Sequence, residues 1–456
     1  MSKGQSISKQ SFFTITEGRL ELAEEIIIIL ADSLNKIHQT NYSERFWRII
    51  IAPYVSTVLT SRKILEEENI NIKPSNILFA NTLELEKSAI FFSRFRYLIK
   101  ISKSIFGLKK IKKQLRRSRN IAMGHNYSEG MSPKMDAYME AYHPFITNKK
   151  VNSKLRNIIP QQSENFSRIF IENMIKVIPK IYVENFDHLI NIIPLINSKE
   201  KIFHVATFHS QFMRFIVAKY IENGAQLYFY QHGGFYGEYK YHTAHHFESN
   251  IADKFMTWGW KINANDVPSP AYRLEKFRNS YINYKIKLSD ILIIYPIIRN
   301  QNSNYVKDAS RFFFNNIRRE KFPIIYARPR PIAKFNRKSI LNFISTDVDK
   351  IDSGFSNISN LISKSRLVII FTHPSTTLLE CLYVDHPTVA IIDNDNISTE
   401  VVKPHYDFLL KMGLFHNSMD SLVNHLNTVD IDLWWNDLIV HPKYLQFKHE
   451  FLRKVS

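Results

Sequence analysis

The residues best suited to chemistry are concentrated between Gln226 and Trp260, in QLYFYQHGGFYGEYKYHTAHHFESNIADKFMTWGW. An apolar segment, Leu227–Tyr230, reads as a buried strand and leads directly into a glycine-rich turn. Glycine lets a backbone adopt conformations closed to other residues and approach a ligand closely. Polar groups at the carboxyl end of a parallel strand are typical of α/β active sites. The sequence therefore predicts a functional bend that includes Gln231, His232, Gly233, Gly234, Tyr236 and Gly237.

His232 is the candidate general base of this bend. A histidine inside an apolar strand is usually a core residue, but His232 follows the strand and precedes two glycines, so we expect it to be exposed. Its imidazole can take a proton from an acceptor hydroxyl or, when charged, stabilise a departing phosphate. Glu248 and Asp253 could each accept a proton or simply cap the segment that leads to Trp258.

A metal centre is not predicted. His242, His245 and His246 have i, i+3, i+4 spacing but lack a carboxylate arrangement such as HExxH. The single cysteine, Cys381, excludes a disulfide framework and a cysteine-rich zinc site, and it favours a reducing compartment.

A second candidate site is FTHPSTTLLECL, residues 371–382, where a predicted strand runs into a predicted helix. Hydroxyls and free backbone N–H groups at the positive end of a helix dipole bind phosphate well. The alternative is an ordinary N-cap rich in Ser and Thr. Arg328 and Arg330 could reach the same anion, and Glu380 could bind a ribose hydroxyl or be a surface charge. The predicted nucleotide- or phosphate-binding residues are Arg328, His373, Ser375, Thr376, Thr377 and Glu380.

The elements that must position these residues form two series. Helices are predicted over Glu17–Gln39 and from Ser43, an N-cap, to Glu67. A βαβ unit begins at Ile202, and a second alternating series begins at Ile291 with β-branched strands typical of a parallel sheet. We predict an acceptor-side domain over residues 1–285 and a nucleotide-binding domain over 286–456, the last helices being able to pack back on the first domain.

The linker between these domains is expected within Asp266–Leu288.

Composition limits the classes of function. At 456 residues with 45% hydrophobic content, the chain suits two cores. The net charge is +19, and eleven Lys or Arg without any acid fall in Arg94–Arg119, where apolar residues recur at helical spacing. This pattern predicts a basic amphipathic helix on an anionic membrane surface, or else a solvated basic face. Nucleic acid ranks lower, because no recognised binding module accompanies the charge. With no secretory signal and no apolar run long enough for a membrane span, we expect a cytoplasmic protein, peripheral on the inner face of the membrane.

The QHGGFYG motif, with Glu248, Asp253 and the closing TWGW, resembles a family of bacterial transferases of lipopolysaccharide and capsule biosynthesis first found in leptospiral genomes. LNKIHQTNYSERFWRIIIAPYV and SKSRLVIIFTHPSTTLLECL agree with it. That family is similar to Kdo transferases of the GT-B type. The resemblance implies an α/β fold of two Rossmann-like domains facing across a cleft, with extra N-terminal helices. It also implies a nucleotide-sugar donor, favoured as CMP-linked, and a glycan or lipid-linked saccharide acceptor, with no cofactor.

By the same resemblance, Gln231, His232 and the two glycines face the reacting centre. Relatives carry an acidic residue before the helix that precedes QHGG, where this chain has Gln211. The expected activity is thus a metal-independent glycosyltransferase, with His232 or Glu248 taking the acceptor proton. Two alternatives stay open: transfer of a polyol phosphate from a CDP-polyol, and a non-catalytic nucleotide-sugar-binding scaffold.

Overall fold

The computed structural model describes residues 17–68, 120–123, 150–157, 162–195, 197–208, 210–282, 284, 286–296, 303–329, 347–352, 354–371, 375–392 and 399–455. They form two compact units. The N-terminal unit runs up to Tyr230 and includes Thr243–Met256, and the C-terminal unit contains Gln231–His242 and the chain from Thr257 onward. The glycine bend groups with the C-terminal unit, whereas the predicted boundary between the domains is at residue 285. The basic segment Arg94–Arg119 lies outside the described residues.

The N-terminal unit places helices around parallel strands. In this unit four parallel strands lie in the order β1-β2-β3-β4. Its elements are α1 (Glu17–His38), α2 (Glu44–Thr60), α3 (Arg62–Leu65), β1 (Asn120–Met123), α4 (Ser153–Arg156), α5 (Arg168–Val177), α6 (Phe186–Ile192), β2 (Ile202–Val205), α7 (Gln211–Glu222), β3 (Gln226–Tyr230), α8 (Thr243–Ile251) and β4 (Lys254–Thr257), with 3₁₀ turns at Lys180–Tyr182 and Ser198–Glu200.

The joint between α1 and α2 explains the LNKIHQTNYSERFW motif structurally. The Asn35 side-chain oxygen accepts hydrogen bonds from Thr40 Oγ1 at 2.9 Å, Tyr42 N at 3.1 Å and Trp47 Nε1 at 2.9 Å. The predicted N-cap is confirmed, since Ser43 Oγ accepts from Phe46 N at 3.1 Å. The motif therefore specifies a tight helical hairpin.

Gln211 has a structural partner in this unit. Pro53 lies inside α2 and has no N–H, so the carbonyl of Ile49 loses its helical donor. Arg214 Nη1 donates to that carbonyl at 2.9 Å, and Gln211 Nε2 donates to the next carbonyl, Ile50 O, at 2.6 Å. A carboxylate has no hydrogen to donate here, so an amide suits this position beside Pro53.

The C-terminal unit holds a six-stranded sheet in the order β11-β10-β9-β6-β7-β8, with parallel pairing between neighbours. The predicted α/β class with parallel sheets and additional N-terminal helices is confirmed. Its elements are β5 (Asp266–Pro268), α9 (Tyr272–Ser280), β6 (Ser289–Ile294), α10 (Ser303–Asn316), β7 (Ile325–Arg328), β8 (Lys350–Ile351), α11 (Ile358–Ser363), β9 (Ser365–Ile370), α12 (Thr376–Tyr383), β10 (Thr388–Ile391), α13 (Lys403–Lys411), β11 (Phe415–His416), α14 (Met419–Thr428), α15 (Ile431–Ile439) and α16 (Pro442–Phe451).

The predicted linker Asp266–Leu288 is wrong in part, because α9 occupies its middle and buries Leu274 and Phe277. The chain end packs on this region: Arg453 N donates to Trp258 O at 2.9 Å, and Ala271 N donates to Arg453 O at 2.8 Å. In the part of the chain described, no helix combines the length and apolar character needed to cross a membrane.

A buried ion pair is expected to contribute to the stability of the N-terminal unit. Arg156 and Glu184 are joined at 2.6 Å with side chains 2% and 3% exposed. Burial raises the pKa of Glu184, but the hydrogen bonds and charge of Arg156 outweigh it and hold that pKa below its usual value. Glu184→Ala leaves Arg156 buried without its counter-ion, and we expect a loss of about 3–5 kcal/mol in the free energy of unfolding, measured by urea titration.

The matched control is Glu172→Ala, which removes a surface pair with Arg168. It should cost about 1 kcal/mol or less. Equal losses for the two variants would contradict a special role for the buried pair.

Candidate active site

The glycine bend lies directly against the start of α12 within the C-terminal unit. The backbone N–H of Gly234 donates to Thr376 Oγ1 at 3.1 Å. A Cβ added to Gly233 would lie 3.1 Å from the same oxygen, and one added to Gly234 would lie 3.2 Å from the carbonyl carbon of Ser375. A side chain at either position would require Thr376 or the Ser375 backbone to shift by a few tenths of an ångström, so the close approach favours glycine at both.

Two further positions give the bend its shape. Gly237 has φ +73°, and a Cβ there would lie 2.4 Å from the Trp260 ring. Phe235 has φ +84°, a region that few non-glycine residues adopt. This strain is held by the surrounding packing, in which Phe235 stacks on His242 at 5.4 Å between ring centroids.

Gln231 fastens the bend to the TWGW segment. Its Oε1 accepts from Trp258 N and from Trp260 Nε1, each at 2.9 Å, and its Nε2 donates to Gly233 O at 3.0 Å. The side chain is buried. The predicted catalytic role of Gln231 is therefore replaced by a positioning role, because its amide is committed to these three bonds.

His232 is half-buried and held from two sides. Its Nδ1 lies 3.0 Å from the Tyr236 hydroxyl, and its backbone carbonyl accepts from Arg273 Nη1 at 2.5 Å. Arg273 comes from α9, inside the segment predicted as a linker. Sequence reasoning missed it because the surrounding YRLEKFRNS carries no motif that separates a site arginine from a surface one.

Glu380 is a titratable group of α12 whose pKa lies near neutrality. Burial raises its pKa from 4.5 to about 7, against the opposing charge of Arg273 and a hydrogen bond with Thr377. Arg273 thus acts on both the His232 carbonyl and the Glu380 carboxyl. The bend, α9 and α12 consequently share one polar cluster: His232, Gly234, Arg273, Thr376, Thr377 and Glu380.

The hydroxyls of the helix start already serve the fold. Ser375 Oγ accepts from Thr377 N at 3.2 Å, which is an ordinary N-cap, and Thr376 Oγ1 accepts from the bend. A hydroxyl that accepts still carries its own hydrogen, so the Thr376 hydroxyl can donate to an anion. The two interpretations of this sequence, N-cap and anion-binding helix start, are therefore compatible.

Arg328 does not match its predicted role. Its guanidinium lies 3.1 Å from Asp352 Oδ1 and donates to the carbonyls of Gly354 at 3.1 Å and Ser356 at 2.9 Å. Moreover, β7, which carries Arg328, is separated by β6 from β9, the strand that leads to α12. Arg328 therefore orders the loop after β8. His373 and Arg330 lie outside the described residues.

The remaining acidic candidates belong to the N-terminal unit. Glu248 lies in α8, where its charge favours the protonated form of Arg214. Asp253 Oδ2 accepts from Leu227 N at 2.7 Å and forms an ion pair with Arg45 at 2.9 Å. Asp253 thus caps the start of β3, which is the structural role given above as the alternative to accepting a proton.

The three histidines of the loop make separate contacts. His242 contacts Phe235 in the C-terminal unit, whereas His246 Nε2 lies 2.6 Å from Glu24 and the His245 ring lies 5.2 Å from that of Phe255 in the N-terminal unit. Burial lowers the pKa of His245 to about 4. Throughout the described ranges, no group of three or more His, Cys, Asp or Glu side chains is arranged to hold a metal ion.

The family model of the LIC12162 family transferases matches residues 17–62 and 62–456. The chain belongs to this family of transferases. The expected membership in a transferase family is confirmed at this level. No protein of curated function matches the sequence significantly.

Solved structures resemble the family member only distantly. A protein described as a UDP-N-acetylglucosamine 2-epimerase, from Listeria monocytogenes, is 10% identical over 80% of this chain and 90% of its own, with a TM-score of 0.38. The wall teichoic acid polymerase TagF is 12% identical over 79% of this chain and 92% of its own, with a TM-score of 0.32. MnaA of S. aureus, solved with UDP, is 9% identical over 60% of this chain and 74% of its own, with a TM-score of 0.37. At these sequence identities and TM-scores, the similarity does not indicate an activity for this chain.

The bend geometry makes a prediction for Gly237→Ala. The new methyl group meets the Trp260 ring at 2.4 Å, and the residue keeps an unfavourable positive φ. We expect a loss of about 2–4 kcal/mol in the free energy of unfolding, from overpacking and left-handed strain together, measured by denaturant titration.

Gly18→Ala is the control, since nothing lies within 4 Å of its added Cβ in α1. It should leave stability unchanged or raise it by up to about 1 kcal/mol. A Gly237→Ala protein as stable as the Gly18→Ala protein would show that the bend can relax.

Proposed function

We propose that this transferase is a glycosyltransferase that moves a sugar from a nucleotide donor onto a bacterial surface glycan or lipid-linked acceptor. One observation carries the proposal: the hydrogen bond from Gly234 to Thr376 joins the histidine-bearing bend to a helix start in one unit. This contact supports the proposal because it brings the bend that carries His232, the proposed base, against the helix start proposed to bind the donor phosphate. Glycosyl transfer from a nucleotide sugar needs both.

The helix start is assigned to the donor phosphate. The start of α12 is the positive end of its helix dipole, where Ser375 already accepts from the backbone N–H groups of Thr377 and Leu378. The Thr376 hydroxyl adds a donor, and Arg273 adds a positive charge beside the bend. Glu380, four residues into the helix, is assigned to the ribose hydroxyls. We favour a CMP-linked, Kdo-like sugar, a choice that rests on the motif resemblance.

The reaction follows from these positions. The acceptor hydroxyl oxygen attacks the anomeric carbon, the bond from that carbon to the phosphate oxygen breaks, and its electron pair leaves with the nucleotide. His232 Nε2 takes the acceptor proton, which requires Nδ1 to carry its hydrogen and donate it to the Tyr236 oxygen. The helix start and Arg273 stabilise the charge that develops on the departing phosphate. No metal takes part in the proposed step.

His232→Ala tests the base. We expect CMP binding, measured as a thermal shift, to stay unchanged, because a ligand that prefers the native state raises its melting temperature by mass action. Release of CMP from CMP-Kdo in the presence of lipid-linked oligosaccharide should fall by about 10²–10⁴-fold, the usual contribution of a general base.

His449→Ala, which truncates an exposed histidine of α16, is the control and should retain full turnover. Full turnover by His232→Ala would exclude His232 as the base. If the wild-type chain gains stability from CDP-glycerol but not from CMP, and labelled phosphorus enters the product, the reaction is polyol-phosphate transfer instead. Nucleotide binding without transfer would favour a scaffold.

The protonation of Glu380 predicts how nucleotide affinity changes with pH. With a pKa of about 7, Glu380 is mostly ionised at pH 8 and mostly protonated at pH 6. Its carboxylate accepts the stronger hydrogen bond from a ribose hydroxyl, so we expect nucleotide affinity to fall by up to about ten-fold between pH 8 and 6. Titration calorimetry at both pH values measures this, and Glu380→Gln should give a flat profile.

A linked effect on stability checks the same group without ligand. Because the folded state holds the Glu380 proton up to about pH 7 and the ordinary pKa is 4.5, the free energy of unfolding should decrease as pH rises between these values. Glu380→Gln should remove that component. A wild-type affinity that does not change with pH would contradict the assignment of Glu380 to the ribose.

A further inference from the structure

A pocket of about 210 Å³ lies in the C-terminal unit at the amino ends of strands β6 to β9. Its lining includes Leu288, Tyr326, Lys350, Asn357 and Lys364. Lys350 begins β8, and Lys364 immediately precedes β9. Since the sheet is parallel, this edge is opposite the carboxyl ends from which the chain enters α12. The pocket is thus separate from the candidate active site.

The pocket presents two lysines that are not neutralised. The Lys350 ammonium lies 5.5 Å from the centre of the Tyr326 ring, and the Lys364 ammonium lies 5.0 Å from that of Tyr284. Among the described side chains, neither lysine forms an ion pair.

The carboxylates of the same edge are committed elsewhere. Asp290 accepts from Ile324 N at 2.9 Å, and Asp349 accepts from Ile325 N at 2.7 Å and pairs with Arg319 at 3.0 Å. The two lysines of its lining make the pocket suited to an anion.

Large apolar side chains are exposed in the pocket lining and in the chain segments next to it. Ile286 is 81% exposed, Phe355 is 77% exposed, Leu288 is 50% exposed and Ile324 is 42% exposed. Leu288 lines the pocket itself, Phe355 precedes the lining residue Ser356, and Ile324 precedes the strand that carries Tyr326. Exposed apolar groups next to unpaired cations are the combination that binds an anionic membrane surface.

We propose that this edge is a docking surface for an anionic phospholipid bilayer. A lipid phosphate occupies the pocket between Lys350 and Lys364, and Ile286, Leu288 and Phe355 enter the headgroup region. The proposal does not rest on the transfer reaction, and it concerns a surface distinct from the basic segment Arg94–Arg119. It accounts for the exposure of apolar side chains that a purely aqueous surface leaves unexplained.

Vesicle co-sedimentation of the full chain tests the surface, with phosphatidylglycerol–phosphatidylcholine vesicles compared with pure phosphatidylcholine at low and high salt. The double variant Lys350→Glu with Lys364→Glu should weaken partition to the anionic vesicles by at least about ten-fold, because each lysine near such a surface contributes to binding. Phe355→Ser should remove the binding that survives high salt, since apolar insertion is not screened.

Matched controls are Lys403→Glu with Lys411→Glu, both exposed on α13, and Leu433→Ser, which is 67% exposed on α15. They should bind vesicles like the wild type, and all variants should unfold at the wild-type temperature. The proposal is overturned if the wild-type chain ignores anionic vesicles, or if only Arg116→Glu with Arg117→Glu abolishes binding. It is also overturned if Phe355→Ser dissolves a dimer without changing vesicle binding, because the face would then be an interface between copies.

Discussion

The close approach of the Gly233–Gly234 backbone to the first residues of α12 is the constraint on which the site depends. A side chain at either glycine would crowd Thr376 or the Ser375 backbone, and the Gly234 N–H donates to Thr376 Oγ1 across this short distance. This contact fixes where His232 lies, because it is the residue immediately before the pair. Gln231 fixes the other end of the bend through Trp258 and Trp260. The His232 imidazole is thus positioned by backbone and amide groups with little freedom to move.

Electrostatics in the cluster follow from this packing. Burial raises the pKa of Glu380, and the charge of Arg273 partly offsets that rise. Arg273 also donates a hydrogen bond to the His232 carbonyl. One guanidinium thereby connects α9, the bend and α12. In the N-terminal unit, Arg214 and Gln211 play a comparable structural part, since they donate to the carbonyls of Ile49 and Ile50 in the helix that contains Pro53. This hydrogen bond explains why the chain has glutamine at position 211 without reference to catalysis.

Much of the fold could be predicted because its signals are local. The apolar strand Gln226–Tyr230 and the N-cap at Ser43 are visible in a few consecutive residues. The bend could be recognised for the same reason. The hydrogen-bond partners of the site residues could not be predicted, because they are far apart in sequence. Arg328 is a residue type that often binds anions, but its guanidinium pairs with Asp352. Arg273 is 41 residues away from His232, whose carbonyl accepts its hydrogen bond. The linker prediction was wrong in part because the weakly periodic segment that suggested it contains α9, which buries Leu274 and Phe277.

The amide of Gln231 has a consequence for how this protein can be divided. A polypeptide starting at Thr257 would contain every strand of the six-stranded sheet but would lack residues 231–242. The buried indole N–H of Trp260 and the backbone N–H of Trp258 would then lose their common acceptor. The C-terminal unit is therefore discontinuous in sequence. A shortened chain would contain the whole unit only if it also carried the twelve residues 231–242, for instance in a circularly permuted order.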